Sequence, residues 1–552
     1  MRRCADEEAV PELLRADFSG LMDGELFGRP MMSKGEVISG CACCRMNRRR
    51  FLAAGCAACA GAAGMLSGAG SLRAASSDRK MRIRIVYSLH APVQPGPDWP
   101  NKGFDFRPVM ERVNAGLAKE CRGFEFVSSM ANGPEQTQKI LDDDKSAGIG
   151  GYVVMQLNCW NRVVQTMATS GKPVLYVDFQ YGGSGGFLVY TAGFLRGPTP
   201  NVGFVASSRF EDLVEAVKCF EVVRKGGSAA DFVAATARVR TTRTPKPGDL
   251  ACAPDALKTL SPGECIQRMK ESRILAVRGQ DAGPADAIMG IPMEYVSFAE
   301  VNEAWEKADK DESRAVANRW RRNAAAVIDV SQETLDTSAA MYLGMKAVLK
   351  KHDANAITMN CLGGYYGGHI HAYPCLGFHE LNNEALVGAC ECDVRSTAAM
   401  VMMTAMTQGR PGYISDPVID TSKRQIIYAH CVASNKVFGP QGAANRFAIM
   451  THSEDRQGAS VRSILPLGYM TTTLKVDQGR KEIIFHQGKS VANDPDDRAC
   501  RTKLAVEPLG DIEKLFTMWD QWGWHRVTCY GDLKEPIFAL ADQIGWKVVE
   551  EA

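Results

Sequence analysis

Residues 134–157 read PEQTQKILDDDKSAGIGGYVVMQL, and the change of character inside them decides the fold class. Residues 134–148 are a polar, helix-like stretch, whereas GYVVMQL (151–157) is a β-branched run of the kind that forms a buried strand. The pairing recurs on both sides. RIRIVYS (82–88) precedes the helix-like PVMERVNAGLAKE (108–120), and KPVLYVDF (172–179) is a further strand-like run. Strands separated by helices predict a parallel sheet covered on both faces.

A second set follows in NVGFVAS (201–207), RILAVRG (273–279) and NAITMNC (355–361). The charges of FAEVNEAWEKADKDESRAVANRWRRNAA (298–325) read as the solvated face of a helix. After about residue 386 the pattern changes. A methionine-rich helix, RSTAAMVMMTAMTQG (395–409), precedes GYISDPVID, QIIYAHC, FAIMTHS, MTTTLKVD, KEIIFHQGKSV and CRTKLAVEP, short strand candidates closely punctuated by turn residues. That predicts a barrel-like or sandwich module. The methionines at 400–406 read as core packing. The predicted fold is therefore α/β: two doubly wound, Rossmann-like parallel-sheet units at 81–200 and 201–385, then a β-rich barrel-like domain at 386–552.

Composition narrows the function. With 45% hydrophobic and 23% charged residues and a net charge of +2, the chain has no broad basic field for nucleic acid and fits a small-molecule protein. Of 18 cysteines, six lie in the first 60 residues, and the others lack paired zinc-ribbon spacing. MNRRRFLAAGCAACAGAAGMLSGAG (46–70) sets Arg48, Arg49 and Arg50 before a weakly apolar run too short for a membrane span, and resembles a bacterial twin-arginine export signal. Residues 1–80 are then a leader with that signal, and Met46 competes with Met1 as the start. The resemblance implies a twin-arginine translocase as partner during export, and a periplasmic or extracellular location. A signal that does not function would leave the protein cytoplasmic.

Two glycine-rich stretches, YGGSGG (181–186) and GGYYGGHIH (363–371), follow strands. The first matches no nucleotide fingerprint and reads as a substrate-contacting loop or a plain connection. In the second, His369 and His371 read as surface residues or as metal ligands lacking a third partner.

ACECDV (389–394) carries the chemistry. If it is extended, Glu391 and Asp393 share one face about 7 Å apart, suited to one divalent ion, while Cys390 and Cys392 pack inward. Alternatively the acids cap the helix that follows. The surrounding LNNEALVGACECDVRSTAAMVMMTAMTQGRPGYISDPVIDTSKRQIIYAHC (381–431) resembles the carboxyl-terminal segment of L-fucose isomerase-like and L-arabinose isomerase-like sugar isomerases. FAIMTHSEDRQG (447–458) and WGWHRVTCYGDLKEPIFALADQIGWKVVE (522–550) continue that resemblance, which covers about residues 355–552.

The resemblance implies a divalent-metal-dependent aldose–ketose isomerase, with Mn²⁺ as the metal, a sugar as substrate, an enediol on the path and a homo-oligomeric assembly. It implies Glu391 and Asp393 as catalytic residues, with Glu391, Asp393 and His525 holding the metal. Glu384, His430, His452 and Arg462 are the candidate substrate contacts. Two alternatives stay open: an exported carbohydrate-binding protein of the same fold, and another metal-assisted enolising enzyme, an epimerase or lyase.

Overall fold

The computed structural model describes residues 80–552, so the candidate export signal lies outside the described residues. Five strands form the first sheet: β1 (Met81–Ser88), β2 (Phe124–Ala131), β3 (Ile149–Gln156), β4 (Val174–Asp178) and β5 (Val202–Val205). All pair in parallel, in the order β2-β1-β3-β4-β5. The central strands are buried almost throughout, as the near-continuous apolar runs of β3 and β4 require. Residues 202–205, read above as the opening of the second unit, pair with β4 and complete the first sheet.

The second sheet contains β6 (Ile274–Val277), β7 (Gly283–Ile288), β8 (Ile291–Tyr295), β10 (Ala356–Met359) and β11 (Val387–Cys390), ordered β11-β10-β6-β8-β7. Its strands are parallel except at the edge, where β7 runs antiparallel to β8. The intervening strand β9 (Ala326–Ile328) belongs elsewhere. It joins β14 (Phe447–Met450) and β15 (Ser460–Ser463) in a three-stranded sheet.

The remaining strands close on themselves. They are β12 (Tyr413–Asp420), β13 (Gln425–His430), β16 (Met470–Asp477), β17 (Glu482–Asn493), β18 (Thr502–Pro508) and β19 (Arg526–Tyr530). Their order is β16-β19-β12-β13-β18-β17, and β17 pairs back onto β16. The result is a six-stranded antiparallel barrel, which removes the open edges that a sheet of this size would otherwise expose. β20 (Lys547–Glu550) pairs in parallel with residues 482–485 of β17.

The apolar cores cross these boundaries. One runs from the second sheet through Met400, Met402, Met403 and Met406 of helix Val394–Met406 into the barrel residues Ile414, Val418 and Val527. Another joins Val154, Tyr176 and Phe187 of the first unit to Tyr428, Leu504 and Trp519. The shared cores pack both α/β sheets against the barrel, the second through the first of these clusters and the first through the other.

Candidate metal centre

Strand β11 stops at Cys390, and the next two residues adopt left-handed backbone, with φ of 63° at Glu391 and 53° at Cys392. For residues with a Cβ this conformation costs about 1–2 kcal/mol each. The backbone N–H of Cys392 donates to the Met359 carbonyl at 2.9 Å, which pins the turn to the neighbouring strand. Period two therefore ends before the acids are reached, and the two carboxylates meet opposite nitrogens of the His525 ring. Asp393 becomes the N-cap of helix Val394–Met406: its Oδ1 accepts from the Ser396 backbone N–H at 3.0 Å, and its Oδ2 from Ser396 Oγ at 2.9 Å.

Glu391 points into a group completed by the barrel. One ligand atom from each of Glu391, Asp416, His430 and His525 lies within 4.8 Å of all the others, a set able to hold a metal ion. Asp416 comes from β12, His430 ends β13, and His525 immediately precedes β19. In the β12–β13 register Asp416 faces Ala429, one residue from His430. The rings of His430 and His525 run nearly parallel, 15° apart in plane, with centroids separated by 6.2 Å.

His525 is oriented from behind. Its Nδ1–H donates to Asp393 Oδ2 at 2.9 Å, which turns Nε2 towards the group. Nε2 lies 3.1 Å from Asp416 Oδ1 and 3.3 Å from Glu391 Oε2, and His430 Nε2 lies 4.0 Å from Glu391 Oε1. Despite this crowding, Asp416 Oδ1, His430 Nε2 and His525 Nε2 are buried with no hydrogen-bond partner among the described residues. Orphaned buried polar atoms are costly, and three converging on one point are satisfied together by a cation. The residues present therefore fit a divalent metal. Two carboxylates and two imidazoles, with no thiolate in the set, suit a hard or borderline ion such as manganese.

Without a cation, the negative charge gathered here falls on His525. Burial pushes the His525 imidazole towards neutrality, but Glu391, Asp393 and Asp416 override it and hold its pKa well above the usual value. Burial would likewise raise Asp393, but the Lys475 ammonium at 2.7 Å and the His525 hydrogen bond hold the carboxyl well below its usual range. Lys475, buried on β16, is itself lowered to about 8 by desolvation. The carboxyl pushed up is a different one. Burial, reinforced by Asp98 and Glu391 and opposed by His452, raises Glu454 to about 8.

Among the residues singled out in the sequence, the structure brings Glu391, His430 and His525 together, with Asp393 behind His525. Glu384 lies elsewhere, accepting from Tyr342 Oη at 2.5 Å and Lys346 Nζ at 3.0 Å. His452 stacks on Tyr373 at 4.9 Å, and Arg462 donates to the Arg501 carbonyl at 3.0 Å. His369 and His371 are exposed, the first stacked on Phe298. The glycines of YGGSGG serve close packing: a Cβ on Gly183 would meet the Gln156 carbonyl oxygen at 2.3 Å. Sequence reasoning passed over Asp416. Its signal was a carboxylate inside the strand candidate GYISDPVID, and all eight residues of that strand, Tyr413–Asp420, are buried.

No protein-family model matches the chain. Sulfoquinovose isomerase of Clostridium sp. (strain MSTE9) is 22% identical over 266 residues, covering 46% of this chain and 57% of that protein. The chain is similar to sugar isomerases. A second sulfoquinovose isomerase, from Alkalicoccus urumqiensis, is 23% identical over 101 residues, covering 18% of this chain and 23% of its own length. The matches thus span less than two thirds of either relative. Among solved structures, the XylFII molecule aligns with 59% of this chain and 94% of its own at 12% identity and a TM-score of 0.15. The XylFII-LytSN complex aligns with 55% and 92% at 13% identity and a TM-score of 0.16, and likenesses this loose define no common fold.

Proposed function

We propose that this protein is a divalent-metal-dependent aldose–ketose isomerase that acts on a sugar through an enediol, with manganese as its metal. The observation that carries the reading is the convergence of Asp416 Oδ1, His430 Nε2 and His525 Nε2, all buried and unpartnered, on the carboxylate of Glu391. Partial similarity to two sulfoquinovose isomerases supports the substrate class.

Glu391, Asp416, His430 and His525 would hold the ion. When bound, a divalent metal supplies Lewis-acid polarisation of a carbonyl and its neighbouring hydroxyl. The chain's own residues do the rest. Asp393 fixes the His525 tautomer and is too fully engaged, by Ser396, Lys475 and His525, to act on a substrate itself. Proton movement between adjacent sugar carbons is assigned to the remaining carboxyls, Glu391 and Glu454. Glu391 is ionised, its pKa held below the usual value by His525 and His430 against the effect of burial, and accepts the proton at Oε1 or Oε2. Glu454, its carboxyl raised to about 8 by burial, would be the group that gives a proton back. Loading of the metal before delivery by a twin-arginine translocase belongs to the same proposal.

The test is solvent exchange. Manganese-loaded protein is incubated in D₂O with a panel of aldoses and 6-substituted aldoses, sulfoquinovose among them, and C2 deuteration is followed by NMR together with ketose formation. Deuterium at C2 with ketose product supports the isomerase. Deuterium without ketose points to another enolising reaction, and tight binding with no exchange points to a binding protein; either result overturns the reading.

A further inference from the structure

Directly behind Glu391, the ends of two adjacent strands bring two thiols together. β10 and β11 are parallel neighbours in which Met359 is paired with Cys390, and Cys361 opens the short helix Cys361–Tyr366 two residues beyond Met359. The two sulfurs lie 2.8 Å apart, and the residues are 2% and 4% exposed. Non-bonded heavy atoms rest at about 3.5–4.0 Å, and sulfurs in a disulfide at about 2.05 Å. The pair is therefore well inside non-bonded contact and less than an ångström from bonding distance.

The approach is fixed by regular structure. β10 is held on its other side by β6, in register from Ala356↔Ile274 to Met359↔Val277. The Cys392 N–H to Met359 carbonyl bond ties the residues after Cys390 back to the same strand. Cys361 follows Asn360, whose side chain caps the short helix by accepting from the Gly363 N–H at 3.1 Å. Both Cβ positions are thus set by backbone hydrogen bonding, and closing the bond needs only a sub-ångström adjustment.

We propose that Cys361 and Cys390 are a disulfide site, whose oxidation links the C-terminal ends of β10 and β11 immediately before the carboxylate of Glu391. The oxidant is a small-molecule disulfide. One cysteine thiolate attacks it, forming a mixed disulfide and releasing one small thiol. The second cysteine then attacks the protein-bound sulfur and releases the other, so two protein thiols become one disulfide and one small disulfide becomes two thiols. Because both sulfurs are buried, exchange proceeds during folding or local opening. The linkage spans 29 residues of chain. The proposal stands on the thiol geometry alone and does not depend on the metal or the reaction.

The test uses the full chain, incubated with glutathione disulfide both in native buffer and during refolding from denaturant, then alkylated with iodoacetamide under denaturing conditions and mapped by mass spectrometry. In at least one condition the proposal expects a chain about 2 Da lighter than the reduced protein before alkylation, and after it peptides containing Cys361 and Cys390 joined and unalkylated. In Cys361→Ser, Cys390 should be alkylated. Full alkylation of both residues under both conditions would overturn the proposal. So would joining either one to the buried thiols Cys375, Cys431 or Cys500.

Discussion

Asp393 Oδ2 accepts a hydrogen bond from Nδ1 of His525 at 2.9 Å, across 132 residues of sequence. The carboxylate thereby fixes the tautomer that turns Nε2 towards Glu391 and Asp416. Asp393→Asn keeps the shape and loses the charge. A second carboxylate behind a ligating imidazole typically raises metal affinity 10–100-fold. Manganese titration of Asp393→Asn by calorimetry should show a loss of about that size with the stoichiometry unchanged.

Lys475 is a further partner of Asp393, which meets its buried ammonium at 2.7 Å. Lys475→Met removes a charge from a site where its counter-charge remains. Breaking a buried pair from one side costs about 3–5 kcal/mol, and the surviving bond from His525 to Asp393 favours the lower end. Denaturant unfolding should show that loss. Combining it with Asp393→Asn should cost less than the sum of the two single changes, because the two residues share one interaction.

Glu454 offers a way to separate chemistry from metal binding. Its carboxyl, raised to about 8 mainly by burial, lies outside the metal-binding group. Glu454→Gln should leave manganese stoichiometry intact while lowering the C2 deuteration rate about 10²–10⁴-fold, the usual contribution of a positioned acid or base. An unchanged exchange rate would remove Glu454 from the proton path.

The strand that follows His525 is anchored by a buried pair. Arg526 Nη2 lies 2.6 Å from Glu551 Oε1, both side chains fully buried, and the guanidinium stacks 3.9 Å from the centre of the Trp519 ring. Burial would raise the Glu551 carboxyl, but Arg526 and His486 bring it down to about 2. An unfolded glutamate titrates near about 4.3, so the folded-state value is depressed. The stabilisation is therefore fully present above about pH 4.3 and disappears as pH falls towards 2, with a size of about 3 kcal/mol. Glu551→Gln should be less stable than wild type at neutral pH by about that amount, and the gap should close between about pH 4 and 2 in denaturant titrations.

Much of this architecture was legible in the sequence. β3 and β4 announced a parallel sheet because strands buried on both faces carry uninterrupted apolar runs. The short strands after residue 412 signalled a β-rich module, but closure was not readable, since it depends on the pairing of β16 with β17 and on the order of the other strands. The same limit applied at residues 202–205, whose strand character was plain and whose sheet was not. At the site, ACECDV posed a question that local pattern left open. The answer was two left-handed residues, Glu391 and Cys392, a conformation that β-branched and bulky residues resist and that no glycine marked here. Asp416 was hidden differently. It belongs to β12, and only the barrel register sets it beside His430 and opposite a residue from another sheet.

The most direct measurement is the metal content of purified protein after exhaustive dialysis, wild type beside Asp416→Ala, by elemental analysis following manganese loading. The four converging side chains predict one divalent ion per chain in the wild type and none in the variant, with both proteins folded by circular dichroism. A wild type that stays metal-free, or an Asp416→Ala protein that keeps a full equivalent, would contradict the account.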